Sequence, residues 1–126
     1  MRPRIAPALV ALAALSLLPL LVLAADTAAK PEAKTFQGEI LDLGCYLGHN
    51  GKGPDHAMCA QMCAKNGQPM GLLTSDGTVY ILTQSHDDAK PYNQLKEIAG
   101  QKAEIKGTVG SNGGLKGLTV LSVKPL

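Results

Sequence analysis

The order of apolar and polar residues after position 34 indicates a chain built mainly of short strands. Residues 35–43, TFQGEILDL, place Leu41 and Leu43 on one face of a predicted strand and Phe36 and Ile40 on the other. Apolar side chains on both faces are typical of a strand covered on both sides, as in a barrel. We therefore predict a first strand over residues 35–43 within a closed or covered sheet.

A cysteine-bearing helix is predicted soon after this strand. Residues 49–55, HNGKGPD, are expected to form a loop because of their glycines and proline, and Asp55 is placed to cap the helix that follows. This helix is predicted over residues 55–65. It is expected to end at Asn66 and Gly67, a pair that favours the left-handed conformation found at helix C termini.

The rest of the chain predicts a hairpin, a second helix and two further strands. Ser75-Asp76-Gly77 is a turn signal, and Pro91 and Gly100 are typical of the first turn and the end of a helix. The predicted elements are strands 71–74 and 78–83, helix 91–99, and strands 102–109 and 115–123.

This order of elements, ending in QKAEIKGTVGSNGGLKGLTVLSV, resembles the OB-fold pattern, in which a helix precedes the last two strands of a small closed barrel. The arrangement is also similar to small exported bacterial OB-fold proteins. The resemblance implies a mainly β domain, with two short helices and a five-stranded OB-like barrel. The departure from the pattern is the cysteine-bearing helix, which is inserted after the first strand.

The N-terminal residues have the features of a secretory signal peptide. Arg2 and Arg4 precede an apolar run at residues 5–23, and small residues surround Ala24. We predict a signal peptide over residues 1–24 and therefore a periplasmic or secreted protein with no stable membrane insertion after cleavage. An uncleaved N-terminal anchor is the structural alternative.

The mature chain is expected to have a flexible leader and one domain. Residues 25–34 are rich in alanine and lysine without an apolar period, and residues 35–126 are enough for one small OB-like domain. Loss of Arg2 and Arg4 leaves equal numbers of basic and acidic residues. With one phenylalanine, three tyrosines and no tryptophan, the chain lacks the basic, aromatic groove of a nucleic-acid-binding barrel.

The candidate chemistry lies between positions 45 and 63. His56, Cys59 and Cys63 share one face of the predicted helix, and Cys45 continues the face of the first strand that Leu43 occupies. Two thiolates and an imidazole on successive helical turns, joined by a third thiolate, are typical ligands of Zn(II) or Cu(I). We therefore predict a metal site made by Cys45, His56, Cys59 and Cys63.

Other residues near the cluster have secondary expectations. His49 is a possible additional ligand from the loop, and Asp42 is expected to orient His56 without binding the ion itself. Met58, Met62 and Met70 would add thioether ligands for Cu(I) if they faced the cluster, but for Met58 and Met62 packing in the core is the simpler interpretation. His86, followed by two aspartates, is interpreted as the capped start of the second helix.

A structural disulfide is the competing interpretation of the cysteines. Cβ atoms four residues apart on a helix are about 5.5 Å apart, whereas a disulfide needs about 3.8 Å. Bonding of Cys45 to Cys59 or to Cys63 is therefore easier than bonding of Cys59 to Cys63. The sequence has no Cys-x-x-Cys redox motif, no haem-attachment motif and no hydrolase or phosphate-loop motif, so we do not expect an enzyme.

Two functional hypotheses follow from the sequence. In the first, the chain is an exported domain that binds Zn(II) or Cu(I) through the cysteine and histidine cluster, with the barrel as its rigid support. In the second, it is a non-catalytic envelope domain in which a cysteine pair forms a structural disulfide and the barrel surface binds another envelope protein.

Overall fold

The computed structural model describes residues 31–126, so the predicted signal peptide and most of the predicted leader lie outside the described residues. In chain order the elements are β1 (Ala33–Asp42), α1 (Leu43–His49), a 3-10 turn (Pro54–His56), α2 (Ala57–Lys65), β2 (Met70–Thr74), β3 (Val79–Gln84), α3 (Lys90–Leu95), β4 (Lys102–Asn112) and β5 (Leu115–Pro125). Within this part of the chain, no helix is long and apolar enough to span a bilayer.

The five strands close into a barrel in the order β1-β2-β3-β5-β4. Strand β1 closes it because its residues 38–42 pair with β2, while its residues 33–39 pair with β4. All pairs are antiparallel except β3 with β5, which run parallel. The predicted mainly β class with a small five-stranded OB-like barrel is confirmed.

The barrel encloses an apolar core that each strand and helices α2 and α3 help to fill. Ile40 of β1 and Ile105 of β4 are fully buried, as are Leu95 and Ala99 at and beyond the end of α3. Phe36, which the sequence placed on the second covered face of β1, packs against this core, with its ring centroid 5.1 Å from that of Tyr80. The apolar side chains of the strands therefore pack as expected for a closed barrel.

Helix α2 is fixed to the barrel by its buried side chains and by an ion pair from its exposed face. Ala60 and Ala64 are buried in the core cluster, and the Gln61 side chain donates a hydrogen bond to the Ala99 carbonyl (3.4 Å). Lys65 pairs with Glu97 (2.7 Å). Because these contacts hold both halves of α2 against the segment after α3, the thiols of this helix have a defined position relative to the barrel.

The structure differs from the sequence prediction at several boundaries. Strand β1 begins at Ala33, so two residues assigned to the leader pair with β4. The largest difference is α1, which begins at Leu43 and places Cys45 on a helix and not on the continued face of a strand. Asp55 does not cap α2, because the chain first makes the 3-10 turn that begins at Pro54.

Gly100 is the residue that permits α2 to approach the barrel, and we expect its replacement by alanine to destabilise the domain. Its φ is +80°, and an added Cβ would collide with the Cα and Cβ of Ala57 at the start of α2. Strain and overpacking together should lower the free energy of unfolding by about 3 kcal/mol. Urea unfolding of the Gly100→Ala variant measures this change.

The matched control is Gly77→Ala in the β2–β3 turn. Gly77 has a φ of +83°, but nothing lies within 4 Å of an added Cβ. This variant should therefore lose only the conformational part, about 1 kcal/mol. Equal losses in the two variants would show that the contact with Ala57 has no special importance.

Candidate metal centre

Three cysteine thiols from two helices meet beside one end of the barrel. Cys45 lies on α1, whereas Cys59 and Cys63 lie one turn apart on α2. The three sulfur atoms lie within 4.8 Å of one another, and all three cysteines are free thiols. Cys59 is exposed, while Cys45 and Cys63 are half-buried, so the cluster has a solvent side and a barrel side.

Asp42 determines where Cys45 lies, because it ends β1 and begins α1. The Asp42 Oδ1 atom accepts a hydrogen bond from the Gly44 backbone N–H (2.9 Å), as expected of an N-cap residue. At the other end of α1, Asn50 adopts a φ of 58° and its N–H donates to the Cys45 and Tyr46 carbonyls. These caps explain why a glycine-containing segment that resembles a strand end forms a two-turn helix.

A second group of possible ligands shares Cys45 with the thiol cluster. A carboxylate oxygen of Asp42, the Cys45 sulfur and a ring nitrogen of His56 also lie within 4.8 Å of one another. The Nε2 atom of His56 is buried and has no hydrogen-bond partner among the described residues. An imidazole nitrogen in that state retains its capacity to bind a metal ion.

Gly51 allows two imidazole rings to pack beside this group. A Cβ at position 51 would lie 2.8 Å from His56 Nε2 and 3.0 Å from His49 Cε1, too close for a side chain to fit unless the rings moved. The His49 and His56 ring centroids are 5.6 Å apart in an edge-to-face arrangement. The loop is also tied to β1, because the Gly53 N–H donates to the Glu39 carboxylate.

The Asp42 carboxylate is buried at 1% exposure and has incomplete hydrogen bonding. Burial opposes its ionisation, but interactions with the Cys45 and Cys63 thiols and with the Gly44 N–H lower the pKa of Asp42 below its ordinary value. Within residues 31–126, no donor reaches the Oδ2 atom of Asp42 with regular hydrogen-bond geometry. The one ion pair in these residues joins Lys65 to Glu97 and does not involve Asp42. Asp42 is thus a buried anion without a cationic side chain beside it, an arrangement that is costly unless a cation compensates it.

The same carboxylate keeps the neighbouring thiols protonated when no metal ion is bound. Hydrogen bonding to Asp42, followed by burial and by repulsion between the two negative charges, raises the pKa of Cys45 to about 12. The pKa of Cys63 is raised for the same reasons. These two thiols are therefore poor nucleophiles at neutral pH, and together with Cys59 they form a cluster that could hold a metal ion.

The spacing of the sulfur atoms is close to that of a thiolate-bound metal ion. Three thiolates around Zn(II), each about 2.3 Å from the ion, lie about 3.8 Å from one another. Small movements of α1 and α2 therefore suffice to bring the three cysteines to bonding distance. A trigonal site of this kind suits Cu(I), and a fourth ligand from His56 or Asp42 would complete the tetrahedron that Zn(II) prefers.

The structure arranges the predicted site residues differently from the sequence prediction. Cys45, Cys59 and Cys63 come together, but His56 groups with Cys45 and Asp42 and not with all three thiols. Asp42, predicted only to orient His56, is itself among the possible ligands. His49 contacts the His56 ring from the end of α1 and belongs to neither group.

Two further expectations are changed by the exposure of the side chains. Met58 and Met62 do not pack in the core as the sequence suggested, since they are 78% and 60% exposed, whereas Met70 is fully buried. His86 is exposed and lies before α3, which has no side-chain cap at Ala89. The capping prediction holds only for Asp88, whose Oδ1 atom accepts from the Lys90 N–H (2.9 Å).

Comparison of the chain with protein-family models, with curated protein sequences and with solved structures gives no significant match. The assignment of the site therefore rests on the geometry and chemistry of the chain's own residues.

The effect of Asp42 on the thiols can be tested in the reduced, metal-free chain. The new side chain of the Asp42→Asn variant retains the N-cap hydrogen bond but loses the negative charge, so the pKa of Cys45 should fall. A fall of about two pH units should speed alkylation of Cys45 near pH 8.5 about tenfold, because the gain in thiolate exceeds the loss of nucleophilicity. Peptide mass spectrometry after timed iodoacetamide treatment gives the rate.

Asp76→Asn is the control for this experiment, since Asp76 lies in the exposed turn after β2 and bonds only with Thr74 and Thr78. It should leave the alkylation rate of Cys45 unchanged. An unchanged rate in Asp42→Asn as well would contradict the role assigned to this carboxylate.

Proposed function

We propose that this chain is an exported domain that binds a single thiophilic metal ion, Zn(II) or Cu(I), through Cys45, Cys59 and Cys63. The observation that carries the proposal is the convergence of three thiols, from two separately anchored helices, beside a buried carboxylate that has no cationic partner within residues 31–126. A metal ion at this point would replace the thiol protons and compensate the charge of Asp42.

The two overlapping groups suggest how one site would serve either ion. Cys45 belongs to both groups, so it is the ligand that the site cannot replace. For Cu(I), the three thiolates are sufficient. For Zn(II), the free Nε2 atom of His56 or the free Oδ2 atom of Asp42 offers a fourth ligand after a small adjustment.

Apart from Asp42 at the end of β1, the barrel supplies rigidity in this proposal and takes no part in the chemistry. Strand β1 ends in Asp42 and holds α1, while the segment from Glu97 to Gly100 holds α2. A site supported in this way loses little conformational entropy when it binds an ion, which favours high affinity. The signal-peptide prediction places this binding in the periplasm or outside the cell, where uptake or buffering of a metal ion is a useful activity.

Replacement of any one cysteine by serine should lower the metal affinity sharply. Loss of a residue that only supports a ligand costs about 10–100-fold in affinity, so loss of a ligand should cost about 100-fold or more. Competition with a chromophoric chelator, under reducing conditions for Zn(II) and anaerobically for Cu(I), measures the affinities of Cys45→Ser, Cys59→Ser and Cys63→Ser. Wild-type affinity in Cys63→Ser would contradict the proposal.

The same affinity measurement can be made on a matched pair of histidine variants. His56→Ala should weaken Zn(II) more than Cu(I), because only the tetrahedral ion needs a fourth ligand. His86→Ala is the control, since this exposed histidine lies outside both groups. If His86→Ala and His56→Ala have equal effects on Zn(II), then His56 is not a ligand.

Thermal unfolding distinguishes this function from that of an envelope domain held by a disulfide. A bound ion at 100 times its Kd stabilises the folded state by about 2.7 kcal/mol, so a chelator should lower the Tm of the metal-loaded chain. A Tm that is insensitive to chelators but falls on mild reduction would instead support a disulfide between Cys45 and one cysteine of α2.

A further inference from the structure

The solvent-facing side of α2 is lined by sulfur. Around the helix axis, Met58 and Met62 are separated by about 40°, and Cys59 lies about 60° from Met62. All three side chains are exposed, with Met58 at 78% and Met62 at 60%. The two thioethers therefore form an exposed pair on neighbouring turns, beside Cys59, the most exposed cysteine of the cluster.

This exposure is unusual for methionine and is not required by the fold. Met70, the third methionine of the described residues, is fully buried in the barrel core, where an apolar side chain is expected. Helix α2 is held by Ala60, Ala64 and Gln61 on its other side. Within the described part of the chain, the thioethers at positions 58 and 62 thus have no packing role that explains them.

The chemistry of thioethers limits which ions this pair would hold. A thioether is a neutral, soft ligand that carries no proton, and it binds Cu(I) and similar monovalent ions in preference to Zn(II). The one charged side chain on this face of α2 is Lys65, and its charge is compensated by Glu97 at 2.7 Å. A monovalent cation would therefore meet a nearly neutral surface with two soft ligands.

We propose that Met58 and Met62 form a capture site for Cu(I), which then passes to the thiol cluster through Cys59. This inference rests on the metal-binding function proposed above and selects the soft monovalent ion as its cargo. The transfer is a ligand exchange without electron transfer. The thioethers release the ion unchanged, and the Cys59 thiol loses its proton to water as its sulfur bonds to the ion. The half-buried Cys45 and Cys63 thiols each lose a proton to water as their sulfur atoms bond to the ion and complete the coordination.

The first test observes the methionine methyl groups directly. The chain, expressed from its complete sequence with 13C-methyl methionine, is titrated with Ag(I), a redox-inert analogue of Cu(I), and separately with Zn(II). Single Met→Leu variants assign the resonances. Once one equivalent of Ag(I) has filled the thiol cluster, further Ag(I) should shift the methyl resonances of Met58 and Met62 but not that of Met70, and Zn(II) should shift none of the three comparably. Unshifted Met58 and Met62 resonances with Ag(I) would overturn the capture site.

The second test measures the rate of loading. Leucine retains the size and helix propensity of methionine, so the double variant Met58→Leu/Met62→Leu should fold normally. It should take Cu(I) from a weak chelate at least about fivefold more slowly, as followed by the thiolate-to-copper absorbance under anaerobic conditions, with the same final stoichiometry. Its Zn(II) affinity should equal that of the wild-type chain. Met70→Leu is the control and should load at the wild-type rate.

These outcomes separate the capture site from the metal-binding function itself. Loading of the double variant at the wild-type rate, with Cu(I) still lost in Cys45→Ser and Cys63→Ser, overturns the capture site and leaves the metal-binding function intact. If Cys45→Ser and Cys63→Ser still retain Cu(I), both the capture site and the metal-binding function are overturned. In Cys59→Ser, Ag(I) should still shift the Met58 and Met62 resonances, because capture precedes transfer to the thiols; loss of those shifts would contradict the proposed order.

Discussion

The burial of Asp42 is the constraint on which the site depends. This residue is the last of β1 and the N-cap of α1, so the geometry of the barrel fixes the direction in which α1 leaves it. Because α1 carries Cys45 in its first turn, the position of one thiol is set by the closure of the barrel. The same carboxylate then controls the protonation of Cys45 and Cys63 and leaves an uncompensated negative charge beside them.

The buried carboxylate affects the thiol cluster differently in the absence and in the presence of a metal ion. Without a metal ion, the buried carboxylate favours protonated thiols, which are slow to react with oxidants or alkylating agents. A cation at the cluster reverses this preference, because its charge stabilises thiolates and carboxylate together. In the proposed function, the protonated Cys45 and Cys63 thiols would be protected from oxidation until an ion displaces their protons.

Much of the barrel could be predicted from the sequence, since alternation of apolar residues and the position of glycines are local signals. Such signals predicted the first strand of the barrel, the end of α2 at Asn66 and Gly67, and the hairpin at Gly77. Helix α1 was missed because Leu43 and Cys45 continue the alternation of β1. The signals that identify it, Asp42 as an N-cap and Asn50 as a left-handed C-cap, are short and were outweighed by that alternation.

The clustering of the three cysteines was predicted from the sequence, but the arrangement of the residues around them was not. The helical spacing of Cys59 and Cys63 indicated a shared face correctly, and their approach to Cys45 was expected. The nearness of Asp42 to His56 was expected, but the grouping of both residues with Cys45 alone depends on the 3-10 turn and on Gly51, and long-range packing of this kind leaves no periodic signal. The exposure of Met58 and Met62 was likewise not predictable, because apolar residues at helical spacing usually face a core.

The most direct test of a cysteine-ligated metal centre is the intact mass of the chain isolated from its own compartment, under native and denaturing conditions, with a count of alkylatable thiols. A metal adduct that disappears on acidification, together with three alkylatable thiols, is the predicted result, and its mass identifies the ion. A mass lower by two hydrogens, one alkylatable thiol and no adduct would contradict the account and make the cysteines structural.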